Sequence, residues 1–356
     1  MLPFYSTIIS TYIFYFLARL SYDKNFRVLA VFWSTLVALT LILVSGLRNG
    51  VGDTIFYMHS YDLLVQNPTS FKFDGDFSLN LLSLFLMQIS TDPQILIFTV
   101  ALITNLFNVI MFNKYRSALE LQVYIYITSG YYIVTMNGIR QCLAAALLFA
   151  CTDLIIKGKF KTYCIFVLLI STFHQSALML IPMYFVVRQE AWSKKIMIFI
   201  GMSVVAILAY DIISPLIFKA LESTSYGDYS EFNEGGSSIM RTIVNAVPVV
   251  LAYIKKKELR EEWPESKVFV NMSILNVIFV AFGMFNWIFN RFTLYLQLYN
   301  FVLIPFIINK CFKRKERRIL YLGVIVCYFF FFYYEQVIGM GMRYPTKFNL
   351  IEFLFY

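Results

Sequence analysis

The sequence predicts an all-α, polytopic membrane helix bundle of about 11–13 hydrophobic segments, some of them re-entrant. Three observations lead there. Of 356 residues, 59% are hydrophobic and 14% charged, and the mean hydropathy is +0.68, whereas a soluble domain carries about 25% charged residues. Apolar runs of about 17 to 25 residues recur along the chain, the length that crosses a ~30 Å hydrocarbon core as a helix. The basic residues gather in short runs between these segments, which is the positive-inside pattern. The net charge of +9 therefore does not point to nucleic acid.

Lipid offers the backbone no hydrogen-bond partner, so each apolar run is expected to be a helix rather than an isolated strand. In order, the candidate spans are 4–20, 28–47, 78–90, 95–112, 119–135, 138–156, 162–187, 196–217, 239–254, 268–288, 292–308 and 319–334. The first lacks a basic leader and a small-residue cleavage site and reads as a retained span. The run 78–90 is short enough to be interfacial or re-entrant. Basic loops flank 162–187 at both ends, so two half-helices meeting at His174 near the outer face would satisfy the orientation count. The Lys and Arg clusters define the cytoplasmic side: Lys24/Arg27, Lys114/Arg116, Lys157/Lys159/Lys161, Arg188/Lys194/Lys195, and the basic loops 255–267 and 309–318. The loop 48–77 then lies outside, as does 218–238, which is acidic through Glu222, Asp228, Glu231 and Glu234. The whole of 1–356 reads as a single transmembrane domain. The aromatic content of 19% suits long contacts at the membrane interface. Five widely spaced Cys form neither a disulfide framework nor a zinc arrangement, and no metal site or cofactor is expected.

Three motifs carry chemistry. Arg48-Asn49-Gly50-Val51-Gly52-Asp53-Thr54, followed by Tyr57, comes straight after the second span. Its glycines let the backbone turn and approach a ligand, although a helix end with solvated charges would read the same way. Asn137, Arg140 and Gln141 stand at i, i+3 and i+4 and share one helix face. A cation beside an apolar run faces a cavity or a partner, or else snorkels to the surface. His174 interrupts an apolar stretch beside Gln175 and Ser176. It is either a packed core histidine or an available proton acceptor. Arg241, Arg291 and Arg343 also map to the outer side, where an interface anchor and a ligand contact are both open readings. Several Arg converging on one place would suit a phosphate or diphosphate, which guanidinium binds bidentately.

At these motifs the sequence resembles the EpsG family of Wzy-like exopolysaccharide polymerases. The resemblance rests on Arg48 with Gly52-Asp53-Thr54 and Tyr57, on Asn137-Gly138-Ile139-Arg140-Gln141, and on Phe173-His174-Gln175-Ser176-Ala177 with Ile181-Pro182. It covers nearly the full chain; beyond residue 200 it is loose, and Arg291 and Arg343 enter by position and chemistry. The resemblance implies a GT-C-like, metal-independent membrane glycosyltransferase of the bacterial cytoplasmic membrane. It would join undecaprenyl-diphosphate-linked repeat units at the outer face into extracellular or capsular polysaccharide, beside a chain-length regulator and a flippase. On that reading His174 is the first choice of base and Asp53 the second. Arg48 and Arg140, helped by Arg291 or Arg343, would hold the diphosphate, and Asn137 and Gln141 would orient sugar hydroxyls or Arg140. A ligase acting on the same lipid, a flippase without catalysis and a non-catalytic scaffold are the competing expectations.

Overall fold

The computed structural model describes residues 1–70, 75–221 and 236–345, which contain helices, turns and loops but no strand. The acidic residues expected in the outer loop 218–238 lie outside the described residues. The chain divides into two compact units: Met1–Leu154, Lys161–Leu178 and the chain from Phe312 onward form the first, and Ile155–Phe160 with Met179–Cys311 the second.

The first unit opens with α1 (Leu2–Asp23), α2 (Arg27–Gly46), the short α3 (Thr54–Gln66) and α4 (Ser78–Leu86), and the long α5 (Gln94–Lys114). There follow α6 (Leu119–Thr128), α7 (Tyr131–Asn137), α8 (Ile139–Ala150), α9 (Thr152–Ile156) and α10 (Phe160–Ile170). The second unit holds α11 (Leu180–Val187), α12 (Lys194–Leu208), α13 (Tyr210–Leu221), α14 (Ile239–Ile254), α15 (Lys256–Glu262), α16 (Ser266–Phe282) and α17 (Phe289–Phe306). α18 (Arg314–Phe332) returns to the first unit. Among the described residues four helices are long and apolar enough to cross a membrane, or five if α12 and α13 count as one bent span. Shorter apolar helices accompany them. The chain is a multi-pass helical membrane protein.

Helix association in lipid relies on close packing and polar bonds rather than on apolar surface area. α2 turns Ala30, Ser34, Val37 and Ala38 inward against α1 and α5 and leaves Val28, Val31, Phe32 and Leu39 exposed. Polar side chains pin the pairs. Ser34 donates to Asn113 Oδ1 (2.9 Å), and Asn113 Nδ2 donates to the Tyr15 hydroxyl (3.2 Å), linking α2, α5 and α1. Asn105 donates to Ser45 Oγ (3.0 Å) and accepts from the Tyr126 hydroxyl (3.1 Å), adding α6. Bonds of this kind contribute about 0.6–2 kcal/mol each in membrane bundles.

Several expected spans are interrupted. The run 119–135 stops at Gly130, whose φ of +83° ends α6 before α7 begins. α8 starts afresh at Gly138, and α9 is separate from it. α4 has nine residues, so at 1.5 Å per residue it cannot cross a bilayer. Between α10 and the 3-10 turn Gln175–Met179 lies the interruption expected at His174. The run 196–217 is not one straight span, because α12 and the start of α13 meet at 97°. Tyr210, at the bend, stacks on Phe285 (4.7 Å between ring centres) and packs beside Phe282 and Phe289. The aromatic cluster fixes a direction that hydropathy alone does not encode.

Candidate active site

The three motifs meet in the first unit, although 84 and 35 residues separate the partners that join them. The meeting point is the start of α8. Gly138 breaks the helical ladder there, so the Met136 carbonyl and the Asn137 side chain are free to bond the loop after α2, and α8 begins with Arg140 and Gln141 in its first turn.

Arg48 is 1% exposed and its fork is occupied by the protein itself. Nε donates to Thr54 Oγ1 (2.9 Å), Nη2 to the Met136 carbonyl (3.0 Å) and Nη1 to the Ser45 carbonyl. Burial lowers its pKa to about 10, which leaves it a cation at neutral pH. Arg48 therefore ties the end of α2 to the end of α7 and is not presented to a ligand. Asn137 has a similar part: its Oδ1 accepts the Asp53 backbone N–H at 2.8 Å. Gly52 is required for that approach, since its φ is +56° and an added Cβ would lie 2.3 Å from Asn137 Oδ1. The Asp53 side chain is left exposed at the rim of this turn.

Arg140 is the guanidinium that reaches out. Its side chain is 40% exposed, and Nη1 lies 3.3 Å from Asp76 Oδ2. The Tyr57 side chain of α3 is close enough to interact with it electrostatically. Asp76 in turn accepts the Gln175 backbone N–H at Oδ1 (2.8 Å), so one carboxylate bridges the second motif to the third. Burial raises the Asp76 pKa, and the Gln175 N–H and Arg140 oppose that rise. The two loops are zipped further by Ser78, whose N–H donates to the Thr172 carbonyl (3.0 Å) and whose hydroxyl meets that of Thr172 (2.6 Å). Asp76 was not singled out in the sequence, where nothing local separates it from the other acids of the same loop.

At His174, Nδ1 faces the Ser176 hydroxyl (2.8 Å) and the Ser176 backbone N–H (3.3 Å). Buried Gln141 donates to that hydroxyl at 3.1 Å. A backbone N–H is always a donor, so Nδ1 acts as acceptor, and the neutral ring carries its proton on Nε2. Beneath the cluster, Tyr57 and Phe173 pack on a buried apolar core that includes Met58, Tyr61, Ile97, Ile139 and Leu143.

Arg343 is exposed, close to the first motif, because the Pro345 carbonyl accepts the Asn49 N–H at 3.0 Å. Arg291 belongs to the second unit, where its guanidinium lies over the Trp287 ring at 4.7 Å. The arrangement presents one cation backed by a carboxylate, and an imidazole held by a serine, at the junction of three loops. Neither a curated protein nor a solved structure matches the chain at a significant level. The family model described as the EpsG family matches residues 31–344, and the chain belongs to that family of Wzy-like polymerases.

Proposed function

We propose that the protein polymerises oligosaccharide repeat units carried on undecaprenyl diphosphate at the outer face of the bacterial cytoplasmic membrane, and that the Arg140–Asp76–His174 cluster is its active site. The observation that carries this reading is Arg140: a partly exposed guanidinium held by the Asp76 carboxylate. Guanidinium matches a phosphate bidentately and keeps its charge.

In the reaction a hydroxyl oxygen of the incoming unit bonds to the anomeric carbon of the growing chain. The bond from that carbon to the diphosphate oxygen breaks, and the diphosphate leaves with the electron pair. Arg140 takes up the negative charge that grows on it. The hydroxyl proton passes to a carboxylate. Asp76, with its raised pKa, is better matched to accept it near neutral pH than an ordinary carboxylate. His174, expected from the sequence as the base, serves here as an Nε2–H donor to a substrate oxygen. Asp53 remains the alternative base, because its carboxylate is exposed. Arg48, Asn137 and Gln141 are positioning residues, and Arg343 is placed to assist at the rim.

The test is a deletion strain complemented with wild type, Arg140→Lys or Asp76→Asn, with membrane levels checked by immunoblot and lipid-linked glycans sized on gels. Both variants are expected to accumulate single lipid-linked repeats. Normal polymer from Arg140→Lys would defeat the bidentate-phosphate reading. Long lipid-linked chains in the deletion strain, with transfer alone lost, would point to a ligase instead.

A further inference from the structure

The second unit contains a cavity of about 210 Å³ that the polymerisation site does not use. This is far above the ~10–15 Å³ that admits one water. Among its lining residues are Lys256, Lys257 and Arg260 of α15, Lys267 of α16, and Glu190 and Trp192 of the loop before α12. The charges are sorted. α15 also carries Glu258, Glu261 and Glu262, and none of these lines the cavity. Glu258 pairs with Lys255 (2.9 Å), and Glu190 is neutralised by Lys267 (2.6 Å). Lys256 lies over the Tyr253 ring at 4.6 Å. Lys257 and Arg260 have no ion-pair partner among the described residues, and both are exposed.

Trp192 strengthens the case. Its φ is +64°, a left-handed conformation that a bulky side chain rarely adopts. Strain of this kind persists where a site requires it. The indole packs edge-on against Tyr253 at 5.0 Å. Beside the basic wall, α14 leaves Val250, Tyr253 and Ile254 about half exposed or more. Cations, an interfacial tryptophan and an apolar track together fit a molecule with a phosphate head and an acyl tail better than a soluble anion. The Lys/Arg count places this end of the unit on the cytoplasmic side, where anionic lipid headgroups lie.

We infer that this cavity binds the phosphate headgroup of an anionic phospholipid of the inner leaflet, with Lys257 and Arg260 as its main contacts. The full-length protein, purified and delipidated in detergent, is titrated with phosphatidylglycerol or phosphatidylcholine, and retained lipid is counted by native mass spectrometry. Wild type should hold one phosphatidylglycerol more tightly than Lys257→Ala/Arg260→Ala by roughly thirtyfold, equivalent to ~2 kcal/mol. The charge-keeping Lys257→Arg/Arg260→Lys protein should retain it, and phosphatidylcholine should show no difference. A parallel arm measures the thermal shift caused by inorganic phosphate alone. A shift that the alanine variant abolishes, without any effect on phosphatidylglycerol, overturns the lipid assignment in favour of a soluble anion. Equal phosphatidylglycerol retention by all three proteins, with no phosphate effect, overturns the site.

Discussion

At His174 the residue that sets the tautomer is Ser176. Two donors facing Nδ1 leave the ring proton on Nε2, so the imidazole is set up to give a hydrogen bond rather than to take a proton. Glutamine can offer an amide N–H from nearly the same place; phenylalanine cannot. His174→Gln is therefore expected to keep a measurable part of the polymerising rate, and His174→Phe to lose about a hundredfold or more. Equal loss in both, measured on purified protein with a synthetic lipid-linked repeat, would return His174 to the base role. Asp76 makes a separate prediction about pH. Its pKa is raised above the ordinary 3.8, chiefly by burial. The basic form is thus present above that raised pKa and disappears as pH falls through it, so the acid limb of the rate profile should lie higher than an ordinary aspartate would place it. Asp76→Asn should abolish that limb along with most of the rate. Protonation of Asp76 itself does not destabilise the fold, because a carboxyl with a raised folded pKa stabilises it as pH falls. An unchanged acid limb in the residual activity of Asp76→Asn would exclude it as the base.

At the scale of elements, the site exists because helices stop. α2, α7 and α10 all end within a few residues of a functional side chain, and the freed carbonyls and N–H groups are what Arg48, Asn137 and Asp76 bind. Arg48 shows how this works, since its guanidinium joins the ends of α2 and α7. Lysine cannot reproduce three divergent donors, so Arg48→Lys should lower stability in a lipid nanodisc by about 2 kcal/mol. Its activity should fall in proportion to the folded fraction. Full thermal stability with lost activity would make Arg48 a ligand contact after all. The sequence made much of this legible. The helical spans, the break at His174 and the three motifs follow from hydropathy, loop charge and residue type. What it could not show is which arginine is buried in the fold and which remains partly exposed. Arg48 and Arg140 look equivalent beside apolar runs, and only the contacts made on folding bury the first and leave the second partly exposed. Asp76 was hidden for a related reason: its partners lie 64 and 99 residues away in sequence (140 minus 76, and the Gln175 contact), so no local pattern marks it.

Across the first unit, α1, α6 and α18 are held together by a buried charge. Glu120 of α6 is fully buried; Oε1 lies 3.2 Å from Arg19 Nη2 of α1 and accepts the hydroxyl of Tyr321 of α18 at 2.8 Å. Tyr12 meets Tyr321 at 2.8 Å and closes the ring of contacts. A buried pair of this kind adds little net stability compared with apolar side chains of similar size, yet breaking it from one side leaves an uncompensated charge. The two sides are not alike, because the Arg19 side chain is 26% exposed and Glu120 is not exposed at all. Arg19→Ala strands the carboxylate in the bundle and should cost about 3–5 kcal/mol. Glu120→Ala leaves an arginine that can turn its head toward the interface, so its loss should be clearly smaller. Arg19→Met combined with Glu120→Leu should recover most of the stability of the wild type, because neither charge then remains. Thermal unfolding of the four proteins in the same nanodisc decides the matter. If the double variant is no more stable than Arg19→Ala, the network holds the unit together by its specific geometry, and the electrostatic account of the clamp is wrong.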